Sequence, residues 1–378
     1  VEPVADSAAG RVRVSYSIDN AGGGIGEIRV FHNGKLVRSD GEYPVKRGES
    51  TASLKEFTPA AVTRGLAAFA AQSQGERSAP ALMRPDRVGE SIEIVPVPGD
   101  NEISVTAFNR NNTVQSRIHA ARFNSSRVAE PPRVFVLAIG IDRFRGKPED
   151  SALAYAVKDA QNMAALMRDH AKRMGAGELQ PVRVLDNERA TRAGIMEAFA
   201  DLARNTRPQD TLIVFIATHG VFDSGTYALV THDYEGTLGP ASTINAGELI
   251  DISKRIPAQR QLLILDTCHS GGLDGTLAGL YDARMSLIAR NVGLHTFASA
   301  GTLQEALDGF EGNGLFTHVL LQGLRAGDAD ANKDRTVTVF ELGDYARQTV
   351  PGLARKVGHR QTPLIMKFGR DLPLMTGY

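Results

Sequence analysis

A single cysteine serves all 378 residues, so no internal disulfide can staple this fold. Net charge is lacking as well, because 43 Lys and Arg offset 43 Asp and Glu. No basic stripe stands out either, which leaves no electrostatic footprint for nucleic acid. Apolar runs fall short of the ~18–20 residues that cross a bilayer. The first residues, from Val1 onward, lack the charged start and apolar segment of a signal peptide. A fragment or processed form, cytoplasmic and without nucleic-acid or membrane partners, is the expectation. Internal repeats and low-complexity segments are also missing. What remains is a chain that is 42% hydrophobic, long enough for two to three domains at ~100–200 residues each.

Two composition regimes meet near Glu130-Pro131-Pro132. Before them, 11–18 (RVRVSYSI), 27–37 (EIRVFHNGKLV) and 101–112 (NEISVTAFNRNN) alternate apolar with polar, which predicts strands. His32-Asn33-Gly34-Lys35 predicts a two-residue hairpin, since Asn-Gly accepts the positive φ of a type I′ turn. Residues 1–126 therefore read as an all-β, Ig-like sandwich, interrupted by an insertion near 50–90. That insertion holds an Ala-rich stretch at 58–72 with Arg64, and a loop at 73–87 with Arg77, Arg84 and Arg87. A linker at 127–132 leads to a second domain, 133–378.

In that second domain the pattern becomes βαβ. Strands are expected at 133–141, 182–185, 211–220, 261–268 and 295–300, and helices at 152–171, 191–205 and 316–324. Near-continuous apolar strands between amphipathic helices predict a mostly parallel sheet covered on both faces. Ligands bind such sheets beyond the carboxyl ends of the strands.

The one cysteine stands at such an end. LLILDTCHSGG (262–272) carries Cys268 out of one strand, and ATHG (217–220) carries His219 out of another. A lone strand-end cysteine is most often an inert core residue. A histidine on a neighbouring strand end changes that reading, because an imidazole can take the thiol proton and later return it to a leaving amine. Glycines follow both residues and let backbone approach a ligand closely. His269 is a poor base, since adjacent side chains diverge on an extended chain.

ATHGVFD together with LDTCHSGG resembles the caspase-like cysteine peptidases, in particular the metacaspase/orthocaspase branch. VLAIGIDRF (136–144), LAYAVKDAQNM (153–163), FASAGTLQEAL (297–307), GLFTHVLLQGL (314–324) and HRQTPLI (359–365) extend the resemblance over roughly 131–372. It implies an α/β caspase-like (caspase–hemoglobinase) fold, with Cys268 as nucleophile and His219 as base. Backbone amides of Gly220 and Cys268 would form the oxyanion hole. Asp266, two places before the cysteine, and Asp159 would be the carboxylates of the pocket for the residue preceding the cut bond (P1), with Ala156 and Ala217 as small walls. Two carboxylates suit a guanidinium or ammonium head, so the expected substrate is a protein or peptide with Arg, then Lys, at P1. The N-terminal strands resemble the β-domain that precedes the peptidase in some bacterial relatives, often behind a β-propeller, so an upstream sensor or propeller domain is an expected partner. A catalytically silent scaffold is the alternative.

The chemistry would require no cofactor. Metacaspase-type calcium is not expected, because the matching stretch keeps only Glu305. Asp328, Asp330, Asn332 and Asp334 fall at EF-hand ligand positions, but Lys333 replaces the turn glycine and Val339 the bidentate glutamate. Arg284 and Arg290, between the cysteine and the fifth strand, are candidate sites of self-cleavage, and the loop at 73–87 is a second.

Overall fold

The computed structural model describes residues 2–6, 10–39, 85–110, 114–146, 152–223, 226–236, 238–269, 294–301 and 304–378. The insertion helix expected at 58–72, most of the Arg-containing loop at 73–87, and Arg284 and Arg290 lie outside the described residues.

The first part of the chain is all-β among the described residues. Its strands are β1 (Glu2–Asp6), β2 (Arg11–Asp19), β3 (Ile28–His32), β4 (Lys35–Ser39), β5 (Arg87–Ile94), β6 (Gly99–Ala107) and β7 (His119–Ser125). They form two antiparallel sheets, ordered β1–β2–β5 and β4–β3–β6–β7. Strand alternation decides the inner face: β2 buries Val12, Val14 and Tyr16 and exposes Arg11, Arg13 and Ser15. These buried residues share a core with Val30, Ile103 and Val105 of the other sheet. Asn33 and Gly34 turn the β3–β4 hairpin at φ 51° and 86°, as a type I′ turn requires.

The rest is built on one large sheet. In chain order its elements are β8 (Arg133–Gly140), α1 (Ala156–Asp169), β9 (Glu178–Leu179), β10 (Arg183–Asp186), α2 (Arg192–Asn205), β11 (Thr211–Asp223), β12 (Thr226–Val230), β13 (Thr243–Asn245), α3 (Ala246–Arg255), β14 (Arg260–His269) and β15 (His295–Ala298). There follow β16 (Asp308–Phe310), β17 (Asn313–Gly314), α4 (Leu315–Arg325), β18 (Thr336–Thr338), α5 (Val339–Lys356), β19 (Leu364–Met366) and β20 (Pro373–Thr376). The order across the sheet is β10–β8–β11–β14–β15–β19, parallel except for β19, with β12 and β13 added antiparallel beside the end of β11. Both faces are buried. Val134, Val136, Ile213, Phe215 and Ile264 pack with α1, α4 and α5, whereas Leu137, Ile139, Leu212 and Val214 pack with α2 and α3. That double burial is why the strands lack polar alternation.

The five expected strands and three expected helices of this half are present, with ends shifted by a few residues. Helix α3 was not expected, and α5 only as one of two alternatives, strand or helix, after the acidic turn at 328–334. Each opens with a capping box, Asn245/Glu248 and Thr338/Glu341, whose N-x-x-E and T-x-x-E spacing was the available signal.

The β3–β4 turn is not a free tip. Lys35 is 2% exposed and its Nζ donates to the carbonyl of Ile256, just beyond α3. Asn33 Nδ2 donates to Gln259 Oε1 at 2.8 Å, and Gln259 Nε2 lies 2.7 Å from His32 Nδ1. His32 Nε2 reaches Asn101 Oδ1 at 2.8 Å. Leu36 belongs to the core formed by α2 and α3. The hairpin thus fastens the β-rich part to the large sheet's helical layer.

Burial pushes the Lys35 amine down from 10.5 to about 7. His32, Glu93, Arg127, Glu130, Arg207 and Lys254 line the same cleft, a cavity of 360 Å³. Between those two values the unfolded chain binds the extra proton, so stability falls as pH drops from the ordinary lysine range toward 7. Lys35→Met is therefore expected to raise stability at pH 7 by about 1–4 kcal/mol, the range for replacing buried ionic groups with apolar ones. It should also flatten the pH dependence of thermal melts between pH 7 and 10. An unchanged slope would count against the buried amine.

Candidate active site

Parallel pairing of β11 with β14 sets the row that matters. In that register Ala217 lies opposite Asp266, Thr218 opposite Thr267, and His219 opposite Cys268. Both strand ends thus deliver His219 and Cys268 to the same carboxyl edge of the sheet, side by side in the backbone. His219 is 6% exposed. Phe144, in the segment after β8, stacks on its imidazole with ring centroids 5.3 Å apart and planes at 26°. Tyr234 meets Phe144 edge-on. The segment carrying Phe144 is itself anchored: Asn187 Oδ1 accepts from Asp142 N and Arg143 N, each at 3.0 Å.

Gly220 follows the histidine where nothing larger fits. A Cβ there would meet the Tyr227 ring at 2.9 Å and Thr267 Cβ at 3.2 Å. Buried Tyr227 also lies 3.0 Å, hydroxyl to hydroxyl, from Thr267, the residue between Asp266 and Cys268. The backbone on both sides of the edge is therefore tightly packed.

Next to this edge stands a pair of carboxylates. Asp159, from the first turn of α1, is 2% exposed. Its Oδ1 accepts from Asn313 Nδ2 at 2.6 Å, and Gly314 N donates to both of its oxygens at 3.0 and 3.1 Å. Asp266 is partly buried, and Thr317 Oγ1 donates to its Oδ2 at 2.6 Å. A Cβ placed on Gly314 would lie 2.9 Å from Asp159 Oδ2 and 3.1 Å from Asp266 Oδ2. The two oxygens therefore flank a single point.

Burial, and then the charge of Asp266, pushes Asp159 up to about 8. Asp266 is raised too, first by burial, against the hydrogen bonds from Thr317 and Ser299. Two such acids at one point cannot both be charged cheaply without a cation. Asp308 pushes both in the same direction; its own oxygens accept from Ala154 N at 2.7 Å and Tyr155 N at 3.2 Å, at the start of α1. Ala156 and Ala217 are buried at 4% and 2% in the layer under α1. Gly140, in register with Ala217, lets α1 come close, for a Cβ there would meet the Ala156 carbonyl oxygen at 2.4 Å.

A sequence model described as "Caspase domain" matches residues 133–369. The chain belongs to the caspase family. Its second half is thus a caspase domain, the domain of a family of cysteine peptidases. Among solved structures, a Geobacter sulfurreducens protein is similar, with 18% identity over 62% of this chain and 93% of its own, and a TM-score of 0.44. The Drosophila initiator caspase Dronc is similar at 10% identity over 63% of this chain and 81% of its own, with a TM-score of 0.41. A search of curated proteins finds no match.

The caspase domain does not gather the four EF-hand-spaced residues around a common point. Asp328 Oδ2 accepts from Gln322, and Asp330 Oδ2 from Arg335 N and the Tyr378 hydroxyl. Asn332 and Asp334 accept from Asp334 N and Thr336 N, each at 2.8 Å. These oxygens cap a turn in which Lys333 and Arg335 have φ of 61° and 67°. Among the described residues no group of three or more His, Cys, Asp or Glu is placed to hold a metal ion, and no helix is long and apolar enough to cross a membrane. Phe144, Asn313, Gly314 and Thr317 were not singled out from sequence. Phe144 and the Gly-x-x-Thr of 314–317 sit inside matching segments, but no spacing rule links them to a histidine or aspartate elsewhere in the chain.

Proposed function

We propose that this chain is a cysteine endopeptidase that cuts proteins or peptides after Arg, and more slowly after Lys. The observation that carries the reading is the register that sets His219 beside Cys268, one step from the paired acids Asp266 and Asp159. The Cys268 thiol passes its proton to His219 and the sulfur attacks the scissile carbonyl carbon. Amides of Gly220 and Cys268 receive the developing oxyanion. Collapse breaks the C–N bond, His219 protonates the leaving amine, and a thioester remains. Water, deprotonated by His219, then attacks the thioester; the acid product leaves and the thiol regains its proton.

Asp266 and Asp159 hold the P1 guanidinium through charge-assisted bonds, between the small walls Ala156 and Ala217. The reading places this chain on the metacaspase/orthocaspase side of the family, with no cofactor in the bond-breaking step. It includes self-cleavage at Arg284 or Arg290, an Ig-like sandwich at 1–126 joined by 127–132 to the peptidase at 133–378, and a cytoplasmic setting. An upstream sensor or propeller domain is the proposed partner within a longer chain.

Matched fluorogenic peptides with Arg, Lys or Asp at P1 test it, alongside Cys268→Ala and an Arg-directed electrophile. Arg turnover at least about 100-fold above Asp is expected, in line with a buried carboxylate–guanidinium contact, and it should vanish in the variant. Preference for Asp would overturn the pocket and spare the nucleophile. Absence of both turnover and Cys268 labelling would favour a silent scaffold.

A further inference from the structure

Within five consecutive residues, 313–317, three bond the acids of the pair: Asn313, Gly314 and Thr317. Asn313 and Gly314 form the strand β17, and Gly314 is also the residue from which α4 starts. Asn313 Nδ2 and Gly314 N donate to Asp159, from α1; Thr317 Oγ1 donates to Asp266, from β14. Thr317 and Asn313 are themselves buried, at 0% and 8%. The carboxylates come from elements far apart in sequence, yet one short segment fastens both at the point beside Gly314 where a methyl group would intrude.

We propose that Asn313 and Thr317 are positioning residues for the P1 cation: they turn Asp159 and Asp266 toward one point and keep them there as acceptors. This inference rests on the basic-P1 reading of the same pocket.

Two effects oppose each other at this pair. Burial and mutual repulsion favour the protonated acids, and a protonated acid does not attract a guanidinium. Hydrogen bonds donated to the carboxylates favour the charged form, and they do so strongly when buried. Asn313, Gly314 and Thr317 supply donors of this kind, whereas Asp308 opposes them. The adjoining segments also carry charged groups: Lys158 on α1, whose amine lies near Gly312; Asp142, which accepts from Val157 N at 2.9 Å; and His318 on α4, 3.7 Å from Glu311. Gly314 completes the arrangement by leaving room: with any side chain there, the cation's place between the two oxygens is taken.

The test uses p-aminobenzamidine, a fluorescent amidinium that mimics the arginine head, titrated into the full chain carrying Cys268→Ala between pH 5 and 9. Binding should tighten with rising pH as the acids ionise. Thr317→Val is expected to weaken binding about 10- to 100-fold near neutral pH, the effect of losing a hydrogen bond to a charged group. It should also move the midpoint of the pH profile upward, so that the defect shrinks at high pH. Asn313→Ala should act in the same direction, and Thr317→Ser should restore both affinity and midpoint. A merely structural loss would weaken binding equally at every pH and would not be rescued by serine.

Equal midpoints in Thr317→Val, Asn313→Ala and the parent would overturn the inference while leaving the basic pocket intact. A parent protein that binds the amidinium equally at all pH would likewise overturn the inference alone, whereas one that does not bind it at all would remove the basic-P1 reading and this inference with it.

Discussion

Alanine at Cys268, at His219, or at both should leave the same residual hydrolysis of Arg peptides, at least about 10⁴-fold below the parent in kcat. The thiol and the imidazole act as one unit: the sulfur is nucleophilic only once its proton has a destination, and the imidazole has nothing to activate without it. The second substitution therefore removes what the first has already lost. The parallel register that lays His219 directly opposite Cys268 is the basis for expecting a unit, and the stacked Phe144 ring for expecting an imidazole held in one orientation. Binding should survive, because the acidic pair lies on α1 and two residues earlier in β14. Single-turnover kinetics of the three variants, with amidinium binding measured alongside, check both parts. Additive losses in the double variant would mean that the two residues act in separate steps or with other partners.

The same geometry explains which parts of the molecule were legible in its sequence. Apolar strands without polar alternation announce a sheet covered on two faces, and Val134, Val136 and Leu137 divide between two cores as that pattern requires. Once the sheet is parallel, residues that close β11 and β14 must emerge at one edge, so His219 and Cys268 could be paired before their register was known. Helix α5 was legible only as a strand or a helix after an acidic turn, because Thr336-Val337-Thr338 suits a strand and the Thr338/Glu341 capping box a helix, and the chain forms both in succession. Asn313 and Thr317 were out of reach for another reason. Their partners lie 154 and 51 residues away, and a hydrogen bond across such distances leaves no periodic trace. The hairpin at Asn33-Gly34 was legible as a turn, but local turn chemistry says nothing of what the turn docks against. Burial of Lys35 at Ile256 depends wholly on a helix more than 200 residues later.

Asparagine at Asp159 should make the protein more stable and less active at once. With its pocket free of a cation, the folded chain holds Asp159 at about 8, chiefly by burial and then by the charge of Asp266. An unfolded aspartate titrates near 4. Between those values the folded state binds the extra proton, so its stability declines as pH rises from about 4 and stops declining above about 8. Asparagine has no proton to lose. The gain in Tm of Asp159→Asn over the parent should therefore be small at pH 4–5, grow through neutrality and level off above about 8. A tenfold difference in proton affinity between folded and unfolded chains is worth ~1.36 kcal/mol, and each kcal/mol moves Tm by ~2–4 °C, so a gain of several degrees is expected at the plateau. Function runs the other way. The amide keeps an oxygen for Gly314 N and Asn313 but brings no charge to a guanidinium, so kcat/KM for Arg peptides should fall about 10²–10³-fold, as when one partner of a buried ion pair is removed. In the parent, kcat/KM should climb with pH toward about 8, because the cation must displace the proton that the empty pocket retains; in the variant that limb should weaken. A Tm gain of equal size at pH 5 and pH 8 would show that Asp159 carries no retained proton. The pair would then owe its place to packing around α1 rather than to a cation that it waits for.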